Sequence, residues 1–190
     1  MKALLLTLLS AAAVLAQPAA AQPSKVVPQV SQQAASPADT TTPPQPMSDR
    51  QFAMAAAASS MFERVEAQLA LIQAGDRDVK AFARKMAEDH AAALEELRTA
   101  AAVAQVDLPG AVPLDAAQQA KVDALRALHG EAFDRAYLAD QVEAHAHAVR
   151  LLEAYVQGGT NSSLKSWANK TLPTLREHQR LLKTLVPSAG

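Results

Sequence analysis

The chain has 190 residues, 18 basic and 19 acidic, a net charge of −1 and no cysteine. The balanced charge removes any electrostatic case for nucleic acid or an anionic lipid surface as partner. The lack of cysteine excludes disulfides, thiolate zinc sites, iron–sulfur clusters and covalently attached c-type haem, so the fold must rest on its core.

Met1-Lys2 is a short basic start, and Ala3 to Leu15 is an apolar run too short and wrongly flanked for a membrane span. Ala19-Ala20-Ala21 is an A-x-A site, which predicts a cleaved signal peptide over 1–21 and a mature start at Gln22. No cysteine follows the run, which argues against a lipid anchor. The expected location is the bacterial periplasm or outside, without a transmembrane segment. Residues 22–47 are rich in Gln, Pro, Ser and Thr and include six prolines. Such a stretch buries too little apolar surface to offset its ordering entropy, so a disordered linker is expected. A docking arm for an envelope partner is the alternative. Residues 48–185 suit one domain, with 186–190 as a tail.

Ser48 is an N-cap before Asp49, and apolar positions at threes and fours predict helix A to about Ala74, stopped by Gly75. Its stripe is Phe52, Ala55, Ser59, Phe62, Glu66, Leu69 and Ile72. Asp76 caps helix B, which runs to about Gln105 with Val79, Phe82, Met86, His90, Ala93 and Leu97 in line. Pro109-Gly110 and Pro113 mark a loop, and Asp115 caps a short helix C ending at His129-Gly130, where glycine suits a left-handed cap. Helix D spans Glu131 to about Gln157, with Phe133, Tyr137, Val142, His145, Val149, Leu152 and Val156 in line. Asn161 or Ser162 caps helix E, which carries Leu164, Trp167, Thr171, Leu175, His178, Leu182 and Leu185. Pro173 removes one backbone bond within it and should bend it. With no period-two alternation, the expected fold is all-α: a ferritin-like antiparallel four-helix bundle with an extra short helix.

His90, His145 and His178 thus lie on the apolar stripes of three helices, and Glu66 on that of a fourth. The helical rise puts them about 21, 21, 24 and 27 Å along their helices, so antiparallel packing brings them to one level. Ionisable groups at core positions must be paired, hydrogen-bonded or metal-bound. Imidazole and carboxylate ligands suit Zn, Fe, Mn or Cu. Candidate ligands are His90, His145, His178, Glu66 and Asp89, with Asp89, Asp140 or Glu63 orienting an imidazole from outside.

Val79-Lys80-Ala81-Phe82 and Met86-Ala87-Glu88-Asp89-His90, Phe133-Asp134-Arg135-Ala136-Tyr137 and Gln141-Val142-Glu143-Ala144-His145, and Leu172-Pro173-Thr174-Leu175-Arg176-Glu177-His178 follow in this order. Together with the leader they resemble the bacterial family called domain of unknown function 4142. That resemblance spans Ser48 to Leu185 and implies an exported, ferritin-like protein, often labelled an outer-membrane protein, without an established activity.

Di-iron bundles use Glu from two helices and Glu-x-x-His from two others. Here positions 87, 142 and 175 are Ala, Val and Leu, so no Glu-x-x-His exists and a mononuclear His-rich site is the better metal reading. The other reading is a non-catalytic envelope protein-interaction bundle whose histidines are structural. A bundle sensing mild acid through its histidines is a third. Met86 reads as core rather than a haem ligand, His147 as solvated and His129 as a helix-end residue facing the dipole. No nucleophile–base pair or phosphate loop appears, so the chain reads as a binding protein rather than an enzyme. Oligomeric state leaves no mark in the sequence.

Overall fold

A computed structural model describes residues 47–186. The leader, most of the linker and the last residues of the tail lie outside the described residues. Five helices follow one another: α1 Asp49–Gln73, α2 Arg77–Val103, α3 Ala116–Arg126, α4 Gly130–Gly158 and α5 Ser162–Leu185. Among the described residues there is no strand, only an isolated bridge between Ala74 and Gly130, and no helix is long and apolar enough to cross a membrane.

The expected caps form. Ser48 accepts from the Gln51 amide while the Gln51 side chain returns to the Ser48 backbone, and Asp115 and Gln118 repeat this box. Asp76 and Asn161 each accept from two amides of their helix. Helix α2 stops short of the expected Gln105. Gln105 adopts a left-handed φ of 57°, and the Val106 amide donates back to the Ala101 carbonyl at 2.8 Å, which closes the helix end. Helix α3 likewise ends at Arg126, which leaves His129 as the N-cap of α4, without a side-chain capping bond. Gly130 takes the left-handed φ of 57° that the sequence predicts there. Helix α5 runs unbroken through Pro173.

Helix α1 packs on α2 and α4, and α5 packs on the same two. Every neighbouring pair is antiparallel. Phe52 near the start of α1 stacks on Tyr155 near the end of α4, and Trp167 early in α5 donates to the Ala93 carbonyl late in α2 at 3.0 Å. The loop after α2 and helix α3 return the chain along α1 and α4. Lys121 of α3 bonds Asp140 and Glu143 of α4 at 2.9 and 2.6 Å. This is the four-helix bundle with one long crossover that the sequence predicts.

At the end where that crossover finishes, two turns meet. The amides of Gly75 and Asp76 donate to the two carboxylate oxygens of Asp134 at 3.0 and 2.9 Å. A Cβ on Gly75 would lie 2.9 Å from the Gly130 Cα, so the contact requires glycine.

The core divides into two apolar clusters. One holds Phe52, Leu94, Leu97, Leu152, Leu164 and Trp167. The other holds Phe82, Met86, Phe133, Tyr137 and Leu182. Between them every long helix contributes a buried polar residue: Glu63 and Glu66, His90, Gln141 and His145, and His178.

Candidate metal centre

Helical spacing builds this layer. Glu63 and Glu66 stand three apart on α1, and Tyr137, Gln141 and His145 stand four apart on α4, so each set shares a face. His90 of α2 and His178 of α5 face them. His145 and His178 are 0% exposed and His90 4%. One ring nitrogen from each histidine lies within 4.8 Å of the other two.

The outward nitrogens determine what the inward ones are. His145 Nδ1 lies 3.0 Å from the Gln141 carbonyl oxygen, and His178 Nε2 lies 2.7 Å from Asp89 Oδ2. Burial pushes the Asp89 carboxyl up, but hydrogen bonds from Lys85 and His178 outweigh it and hold the group below its ordinary range. It is therefore ionised. A carbonyl and a carboxylate only accept, so His145 Nδ1 and His178 Nε2 both donate. The inward His145 Nε2 and His178 Nδ1 then each carry a lone pair, and they face each other at 3.1 Å. His90 Nε2 is buried and has no hydrogen-bond partner.

Burial disfavours the charged imidazole. Desolvation, then the neighbouring imidazoles, hold His90 well below its ordinary range. Burial and the His178 charge bring His145 to about 4, against the effect of the Gln141 carbonyl. Burial lowers His178 too, with Asp89 working against it. All three are neutral at neutral pH, the state in which an imidazole binds a metal.

Of the carboxylates, Asp89 and Glu63 stand beside outer imidazole nitrogens, as expected for partners that orient a ring, and Glu66 and Asp140 do not. Glu66 accepts from Gln141 Nε2 at 3.0 Å, and it is Glu63 whose Oε1 lies 3.4 Å from His145 Nδ1. Asp89 stands outside the triad, on the far nitrogen of His178. Asp140 turns away to Lys121 instead of orienting an imidazole. Met86 is buried in the apolar cluster beside the layer, and His147 is exposed. Gln141, fully buried, takes the place assigned to Val142, which is 46% exposed. The signal was present: Gln141 lies four residues before His145 and four after Tyr137.

The sequence profile named domain of unknown function 4142 matches residues 30–185. The chain belongs to this family. The match begins ahead of the helical part. No curated protein matches the chain. Among solved structures it is similar to a chain from Streptomyces coelicolor described as a secreted protein of the family DUF305, at 16% identity and a TM-score of 0.62, over 74% of this chain and 93% of that one. It is also similar to CopM in its Cu(II)-bound form, at 16% identity and a TM-score of 0.62, over 74% of this chain and 96% of that one. CopM in its Cu(I)-bound form gives 17% identity and a TM-score of 0.59, over 72% and 94%. At these identities the likeness is one of fold.

Proposed function

We propose that this member of the domain of unknown function 4142 family is an exported binding protein that holds one transition-metal ion on His90, His145 and His178. Its role is storage, buffering or stress protection rather than turnover. One observation carries the reading: His145 Nε2 and His178 Nδ1 face each other at 3.1 Å, and with both outer nitrogens donating to acceptors the neutral rings leave a lone pair on each. Two imidazoles on one tetrahedral metal, at metal–nitrogen distances of about 2.0–2.1 Å, put their nitrogens about 3.3 Å apart. A cation between them turns a repulsion into two bonds. His90 completes the set, and its Nε2 gives up no hydrogen bond in doing so. Asp89 and the Gln141 carbonyl act as outer partners that fix ring orientation and raise ligand basicity. Glu66, bonded to Gln141, assists only through that side chain.

Imidazole ligands without sulfur suit Zn, Cu and Fe, with Mn the weaker fit. The fold shared with copper-bound CopM makes copper the first ion to try. The rival reading, structural histidines in an envelope-interaction bundle, needs one proton shared between His145 and His178. Burial opposes it, because both imidazoles are held below their ordinary range.

The test is elemental analysis of protein purified from the periplasm, with Cu2+ and Zn2+ titration of chelator-stripped protein and of His178→Ala. About one ion per chain is expected in the parent, lost in a variant that keeps its helical spectrum. No uptake by the parent, or equal uptake by a folded variant, would give the histidines to the structural reading.

A further inference from the structure

The carboxylate half of the polar layer contains more buried oxygen than hydrogen to satisfy it. Glu63 Oε1 and Oε2, Glu66 Oε1, Gln141 Oε1 and the Tyr137 hydroxyl are all buried without a hydrogen-bond partner. All four residues are 0% exposed. The bond from Gln141 Nε2 to Glu66 Oε2 is the one hydrogen bond recorded among these side chains. His145 Nδ1 comes within 3.4 Å of Glu63 Oε1, but its hydrogen is committed to the Gln141 carbonyl.

A native domain carries a few unpaired buried polar atoms per hundred residues, each costing about 1–3 kcal/mol. Five in one cluster, from two facing helices, therefore point to an absent occupant. For the ionised pair the donors at hand are the Tyr137 hydroxyl and one remaining Gln141 N–H, too few for two carboxylates, and burial accordingly holds both carboxyls above their ordinary range, where only a proton or a cation completes them. No cationic side chain bonds these groups, Lys121 acting on Glu66 only through its charge, and two ionised carboxylates balance one dication.

We propose that Glu63, Glu66, Gln141 and Tyr137 form a second, oxygen-lined site for a hard divalent cation of the Mn2+, Mg2+ or Ca2+ class, separated from the imidazole site by the ring of His145. Carboxylate and carbonyl oxygens suit these ions, whereas the nitrogen set across His145 suits softer ones. The charges of Glu63 and Glu66 act on the Tyr137 phenol, which burial first pushes well above its ordinary range. Tyr137 stands one helical turn before Gln141 on α4, on the same face. The two sites would give the layer different ion preferences on its two sides.

Mn2+ is the probe, because its paramagnetic resonance signal reports binding directly. Chelator-stripped full-length chain is titrated alongside Glu63→Gln/Glu66→Gln, Tyr137→Phe and His178→Ala. The wild type and His178→Ala are expected to take up about one Mn2+ per chain. The double glutamine variant should lose that uptake and still bind Cu2+ at the imidazoles. Tyr137→Phe, which keeps the ring and removes one oxygen, should weaken Mn2+ about tenfold, the size of effect that one supporting group has on a metal. Absence of Mn2+ uptake by the wild type, or an affinity unchanged in both the double variant and Tyr137→Phe, overturns the site. Loss of Cu2+ binding with Mn2+ binding intact sinks only the imidazole reading.

Discussion

The two halves of the polar layer differ in how they are held. On the imidazole side, His145 and His178 each have an outer nitrogen tied to an acceptor, so the direction of each inner lone pair is set before any ligand arrives. On the carboxylate side, Glu63 has no bond at all and Glu66 has one, to Gln141. The first half is organised by the protein. The second depends on what enters it, whether proton or cation. Two clusters of buried polar groups a few ångströms apart can thus be equally dry and yet unequally prepared.

That contrast can be probed first through pH in the metal-free protein. His145 sits at about 4 when folded, against an ordinary 6.5, so its contribution to stability is complete above 6.5 and is lost as pH falls toward 4. Glu66 sits at about 8, against an ordinary 4.5, so its contribution is complete below 4.5 and is lost as pH rises toward 8. The two effects oppose each other between pH 4.5 and 6.5, so stability should be level there and fall on either side, by about 1.4 kcal/mol for each unit of pH. Glu66→Gln is expected to make the alkaline arm shallower, the remainder belonging to Glu63, which burial also raises, and to extend the acid arm up toward 6.5. Thermal melts from pH 4 to 8 check this, and an unchanged alkaline slope would contradict it.

A smaller effect tests the outer wiring. Asp89→Asn replaces an ionised acceptor on His178 with a neutral amide and should weaken metal binding about 10–100-fold, read by competition with a chelator. Equal affinity would mean that the ring needs no outer partner. The smallest effect lies on the bundle surface. Ile72 is 78% exposed, so Ile72→Ala should change stability by no more than about 0.5 kcal/mol in a denaturant melt. A loss of several times that would restore Ile72 to a packed face.

Ile72 also shows where sequence reading meets its limit. Caps, glycines and the three-four spacing identify all five helices to within a few residues, because each is a local signal. The histidines are legible because a polar residue stands out on the apolar stripes of α2, α4 and α5. On α1 the stripe drawn through Ala55, Ser59, Leu69 and Ile72 is rotated from the buried face, which runs through Ala53, Ala56, Ser60, Glu63, Ala67 and Ala70. Alanine carries little hydrophobic contrast, yet it lets helices approach most closely. Phe52, Phe62 and Glu66 of that stripe are buried, but Ile72 is exposed, and small residues fill the rest of the core face. Glu63 consequently reads as a neighbour of the site instead of a member. Gln141 is missed although its spacing of four from both Tyr137 and His145 marks it, because the apolar Val142 beside it competes for the same place in the stripe.

The meeting of Gly75 with Asp134 and Gly130 has a consequence far from where it occurs. From Gln73, the last residue of α1, back to Glu63 is ten residues, about 15 Å of helix, and from Asp134 forward to His145 is eleven, about 16.5 Å. Two arms of nearly equal length thus start from one rivet. The turn works as a jig: it starts the carboxylate and imidazole arms from one level, and an added methyl group at Gly75, 2.9 Å from the Gly130 Cα, would force the two turns apart at that origin.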